Sequence, residues 1–185
     1  LSETIASQIA AGEVVERPAS AVKELIENAI DASATAIAIE TSEAGKRLIM
    51  VTDDGAGIPA EELPLAMSRH ATSKLQSAED LFEIHTLGFR GEALASIGSV
   101  SRLTLTSKPE QQLAAYRISM DGGFIGQAGS VPAPTGSEVR VEDLFFNVPA
   151  RMKFLKSDST ENRQITGLVT RYALAYPQIR WSLTM

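Results

Sequence analysis

From Arg17 to Ala32 the chain reads RPASAVKELIENAIDA, and this stretch constrains the fold more than any other. Pro18 suits the first helical position, where its missing N–H costs nothing, and good helix formers follow it. Val22, Leu25, Ile26, Ala29 and Ile30 recur at helical spacing and make an apolar stripe. Glu24, Glu27, Asn28 and Asp31 make a second stripe, because residues three and four apart share a face. The spacing predicts a helix over 18–32, buried on one side and carrying carboxylates and an amide on the other. Glu24 and Asn28, one turn apart, can reach the same small object. An acidic stripe is most often a solvated face, so its meaning depends on the rest of the chain.

A length of 185 residues, 44% of them hydrophobic, is enough for a substantial core, and one domain over 1–185 is the expectation. No apolar run is long enough to span a membrane, and no basic-then-apolar leader is present. The absence of cysteine rules out a disulfide framework and a thiolate metal site, and suits a reducing compartment. A net charge of −6 argues against this piece alone gripping a nucleic-acid backbone strongly. The chain begins at Leu1 rather than Met and stops at Met185 just after a strand-like run, as a fragment of a longer protein would.

Residues 3–11 read as a short helix capped by Gly12. Thr35–Thr41 and Lys46–Thr52 alternate or run apolar as strands, with a turn at Glu43-Ala44-Gly45. A short helix is expected over 60–68, and another over Glu92–Ile97, stopped by Gly98. Strands follow at 100–107, 113–119, 124–130 and 137–142, separated by Gly122-Gly123 and Pro132-Ala133-Pro134. A helix over 159–175 and a strand over 179–183 close the chain. Helices and mostly antiparallel strands in separate blocks predict an α+β two-layer sandwich.

The second strand runs into Asp53-Asp54-Gly55-Ala56-Gly57. A carboxylate there can accept from an exocyclic amine, and the glycines let backbone approach a flat ring closely. The same pattern also makes an ordinary Asp-Gly turn. Leu87-Gly88-Phe89-Arg90-Gly91-Glu92 places glycines and an arginine before a helix start, where unpaired N–H groups favour phosphate. Thr72, Ser73 and Lys74 offer hydroxyls and an ammonium, and the weakly periodic stretch from Arg69 to Gly91 reads as a lid or binding loop. His70 and His85 have no metal-ligand spacing. The Walker pattern is absent, since Glu40 stands where Gly45-Lys46 would need an upstream glycine. Arg151, Lys153 and Lys156 form a modest basic run of the kind most surfaces carry.

In this order and spacing the segments resemble the GHKL ATPases: topoisomerase ATPase domains, ninety-kilodalton heat-shock chaperones, histidine kinases and MutL-type mismatch-repair proteins. The MutL branch is the closer match. It is carried by Gln8–Pro18 (QIAAGEVVERP), Arg69–Lys74 (RHATSK), Leu87–Leu94 (LGFRGEAL) and Leu144–Arg151 (LFFNVPAR). Ala29, Ser33 and Asp54 stand where the family more often has Ser, Gly and Asn, and Ser137 replaces the Thr of its Gly-Thr pair while keeping the hydroxyl.

The resemblance implies a Bergerat-type α+β sandwich on a mixed, mostly antiparallel sheet, binding ATP and Mg²⁺. It implies that Glu24 activates the attacking water, Asn28 holds Mg²⁺, and Asp53 reads the adenine amine beside Gly57 and Ser137. Thr72, Ser73, Lys74, Gly88, Phe89, Arg90 and Gly91 would wrap the triphosphate, with Asp31 in support. It further implies an ATP-closed homodimer or heterodimer working on mismatched DNA with a MutS-type sensor, in a bacterial cytoplasm or a eukaryotic nucleus. A following domain, beyond this piece, would supply a lysine to the γ-phosphate. Two other readings are a topoisomerase-type ATPase, against which Phe145–Arg151 speaks, and a nucleotide-gated binding module with negligible turnover.

Overall fold

The computed structural model describes residues 14–68 and 92–185. Helix α1 (Pro18–Asp31) starts with the proline in its first turn, as the sequence predicts, and buries Ala21, Val22, Leu25, Ile26 and Ala29. Strand β1 (Ala36–Ser42) alternates, with Ile37, Ile39 and Thr41 inward. A left-handed turn of 3-10 type (Glu43–Gly45) leads into β2 (Leu48–Asp53). A second 3-10 turn (Ala60–Glu62) and the single turn α2 (Leu63–Ala66) take the place of the helix expected over 60–68. Pro64 sits inside that turn, where only a first-turn position tolerates it.

Helix α3 (Ala93–Ser99) continues past the glycine expected to stop it. Gly98 is there for space: a Cβ on it would lie 2.3 Å from Met120 Sδ. Strands β3 (Arg102–Lys108) and β4 (Ala115–Asp121) follow. The single strand expected over 124–130 is two, β5 (Phe124–Ile125) and β6 (Gly129–Val131), both paired with β4. Between them the chain leaves the ladder after Gly126 N–H reaches the Ser119 carbonyl at 2.8 Å. Strand β7 (Gly136–Glu142) precedes α4 (Pro149–Phe154), a short helix the sequence reading left out. Helix α5 (Asp158–Ala175) and β8 (Arg180–Thr184) complete the chain.

The strands of the described residues join one eight-stranded sheet in the order β5-β4-β3-β7-β2-β1-β8, with β6 also on β4. Among the described residues only β1 and β8 pair in parallel, so the sheet is mixed and mostly antiparallel, as expected. Register aligns whole rows of side chains across it. Ile118, Leu105, Val139, Val51, Ile39 and Leu183 are successive cross-strand partners, and Met120, Leu103, Val141 and Ile49 form the row before. These rows face the helices and build one core with α1, Ile97 of α3, and Ile165 and Val169 of α5. On the opposite face Glu40, Met50, Arg140, Thr104 and Ser119 line up in register. That polar face completes a two-layer sandwich.

Candidate active site

The next row along the core face changes character. Two residues beyond Leu105, Val139 and Val51 the strands present Ser107, Ser137 and Asp53, aligned as cross-strand partners. The carboxylate thus sits where the apolar core ends. Its Oδ1 accepts from Gly55 N–H at 2.8 Å. Burial pushes the Asp53 carboxyl up from its ordinary value, with the Gly55 and Ser137 backbone bonds pulling the other way and Asp54 adding a little repulsion. Ser107 Oγ lies 2.8 Å from Ser137 Oγ, accepts from Ile58 N–H at 2.8 Å, and is 3.1 Å from the Gly136 carbonyl. One buried hydroxyl therefore ties the ends of β3 and β7 to the loop after Asp53.

Two glycines let these segments meet. Gly57 has φ +71, and a Cβ on it would stand 2.6 Å from the Lys108 carbonyl oxygen; on Gly136, at φ +114, it would stand 2.0 Å from that of Asp53. Any side chain would need both a left-handed backbone and room that backbone already fills. The turn is also seated on the end of α1, through Ala56 N–H to the Ala32 carbonyl at 2.9 Å. Asp54 points away and fastens the start of β1, accepting from Thr35 N–H at 2.7 Å and Ala36 N–H at 2.8 Å and pairing with Thr35 Oγ1 at 2.5 Å.

The polar stripe of α1 divides. Glu24 is a quarter exposed, and Asn28 and Asp31 are half-buried on the helix that carries the turn at its end. Glu27 does not share their role: it is 7% exposed and turned to α5, where Tyr172 O–H donates to its Oε1 at 2.5 Å. Lys23 Nζ is 2.9 Å from Glu27 Oε1 and 3.7 Å from Glu24 Oε1.

Asp53, Gly57 and Ser137 are thus brought together, and the helix bearing Glu24, Asn28 and Asp31 is joined to them through Ala32. Thr72, Ser73, Lys74, Gly88, Phe89, Arg90 and Gly91, with His70, His85 and the helix expected over 3–11, lie outside the described residues. Sequence reading missed Ser107, whose only signal was a serine ending an apolar alternation. A pocket of about 430 Å³ between Lys46, Arg47, Arg102, Asp143 and Phe146 lies at the opposite end of β2 and β7. Its cations are already engaged, Lys46 by Asp158, and Arg47 and Arg102 by Asp143.

Residues 16–144 match the sequence model of the histidine kinase-, DNA gyrase B- and HSP90-like ATPases. The chain is 57% identical to the DNA mismatch repair protein MutL of Symbiobacterium thermophilum and 54% identical to that of Brucella anthropi, over 97% and 99% of its own length. It spans only 28% and 29% of those proteins. The ATPase domain of Aquifex aeolicus MutL complexed with ADP superposes with TM-score 0.73 at 38% identity, covering 92% of this chain and 60% of that one. The crystal structure of the N-terminal domain of a DNA repair protein gives TM-score 0.80 at 29% identity, over 96% of this chain and 51% of that one. With its sheet order, its half-buried aspartate and its glycine turns, the chain belongs to the histidine kinase-, DNA gyrase B- and HSP90-like ATPases, and within them is similar to the ATPase domain of MutL.

Proposed function

We propose that the chain binds ATP with its adenine against Asp53 and its phosphates toward the polar face of α1, where Glu24 activates the water that attacks the γ-phosphate. The observation that carries this reading is the row Ser107–Ser137–Asp53, a desolvated carboxylate closing an apolar row between two glycine turns. Such a group accepts from the adenine N6 amine while the core beside it takes the ring's apolar faces. The ADP in the Aquifex relative supports an adenine nucleotide as ligand.

Among the described residues no three His, Cys, Asp or Glu side chains gather as a metal cage. Asn28 offers one amide oxygen, which fits Mg²⁺, an ion that takes few protein ligands and completes its octahedron with phosphate and water. When bound, Mg²⁺ would neutralise charge building on the phosphates. The protein's own work is to hold the base at Asp53 and to take the water's proton at the Glu24 carboxylate. In the whole protein this ATPase would serve mismatch repair in the bacterial cytoplasm, through a nucleotide-closed dimer acting on mismatched DNA with a MutS-type sensor.

Glu24→Ala in the full-length protein tests the assignment. ATP affinity stays within a few-fold, since the carboxylate serves the water and not the nucleotide, while turnover falls roughly 10²–10⁴-fold, the usual worth of a positioned base. Equal losses of affinity and rate would make Glu24 a binding residue.

A further inference from the structure

We propose that Glu27 is a positioning residue for Glu24: by holding the Lys23 ammonium against itself, it keeps that ammonium from closing on the base. The inference rests on the reading of Glu24 as the base. Lys23 Nζ makes hydrogen-bonding contact with Glu27 Oε1 at 2.9 Å and a looser ion pair with Glu24 Oε1 at 3.7 Å. Against the lowering effect of burial, Glu27 is the stronger of the two in raising the ammonium's pKa. The holding carboxylate is itself fixed. It is 7% exposed, and the same Oε1 accepts from Tyr172 O–H at 2.5 Å, across to α5. Tyr172 in turn stacks on Tyr176, with ring centroids 6.3 Å apart. A carboxylate buried between two helices is expensive, and an apolar residue of its size would pack there at less cost. Its two donors give it a use: they set where the ammonium stands.

That place matters to the chemistry. An ammonium in full contact with Glu24 would weaken the carboxylate as a base. One held a step away still favours the ionised form as the triphosphate's charge arrives. Lys23 and Glu27 on its own helix, and Tyr172 of α5 with Tyr176 behind it, are among the groups near Glu24. Of the other elements packed on α1, β2 brings Asp53, the first 3-10 turn brings Glu43, and α3 carries Glu92 at its N-cap.

The test measures kcat and KM for ATP against pH in the full-length protein. Glu27→Gln lowers kcat about 3- to 10-fold, leaves KM within two-fold, and moves the acidic limb of the kcat profile to lower pH, because the loose Lys23–Glu24 pair closes to full contact. Adding Lys23→Met to Glu27→Gln removes the ammonium, raises kcat again at pH 8, and returns the limb toward higher pH. Tyr172→Phe, which unpins Glu27 without touching its charge, gives a smaller shift of the same limb in the same direction and serves if Glu27→Gln does not fold. A Glu27→Gln enzyme with the parent profile, or a slowed one that Lys23→Met does not recover, overturns the proposal, as does an unmoved limb in Tyr172→Phe. Glu24→Gln separates the two readings. If it turns over like the parent, the base assignment has failed; if it is inactive while Glu27→Gln matches the parent, only the positioning role has.

Discussion

Asp53 and Asp54 are neighbours in sequence with opposite relations to the fold. Burial raises the Asp53 carboxyl, so the folded state binds its proton more tightly than the unfolded chain does. Stability assigned to this group therefore falls as pH rises from the unfolded value toward the raised folded one, and at neutral pH the ionised carboxylate is a cost. Asp53→Asn should melt higher than the parent at pH 7 while binding ATP more weakly. Asp54 is the reverse: the hydrogen bond from Thr35 first, then the Ala36 and Thr35 backbone amides, hold its carboxyl below the ordinary value. Its contribution is present above the unfolded pKa and is lost as pH falls through the folded one. Because Asp54 is exposed, solvent screens most of it. An asparagine there keeps Oδ1 for the two backbone amides and can donate from its NH₂ to Thr35 Oγ1. Asp54→Asn should lie within about 0.5 kcal/mol of the parent at pH 7 and, unlike it, should not lose this capping bond in acid. Thermal melts of both variants between pH 3 and 8 check the two signs.

Among the elements, α1 was legible because its two stripes carry different chemistry, and most strands because Leu103 and Leu105 or Ile37 and Ile39 alternate. What sequence could not supply was long-range pairing. Ser107 meets Ser137 across two strands, and Glu27 leaves its own stripe because Tyr172, 145 residues away, reaches it. Helix α4 was hidden because its six residues bury no side chain and so carry no apolar period. Gly98 misled for a related reason: a glycine needed for space looks the same in sequence as one that ends a helix. Two opposing magnitudes decide what an alanine does at position 98. Alanine gains about 1 kcal/mol of helix propensity over glycine, but its Cβ would stand 2.3 Å from Met120 Sδ in a buried contact, and overpacking costs about 1–3 kcal/mol. Gly98→Ala should therefore lower the melting temperature, and shortening the neighbour in a Gly98→Ala/Met120→Ala pair should recover part of that loss relative to Met120→Ala alone. A higher melting temperature for Gly98→Ala would show that Met120 has another place to go.

On the scale of the whole molecule, the sheet has two unlike ends. Over the ~17 Å length of β2 and β7, one end closes in ion pairs around Asp143 and the other in the Ser107–Ser137–Asp53 row seated on the end of α1. In the proposed function this second end reads adenine. Guanine presents a carbonyl where adenine presents its amine, so a carboxylate at Asp53 would repel it, and a buried polar group left unpaired costs about 1–3 kcal/mol. Calorimetric titration of ATP and GTP into the parent and Asp53→Asn proteins measures this directly. The parent should bind ATP at least about ten-fold more tightly than GTP, and Asp53→Asn should weaken ATP and narrow the gap. Equal affinities in the parent, or a preference that survives Asp53→Asn intact, would show that Asp53 does not read the base.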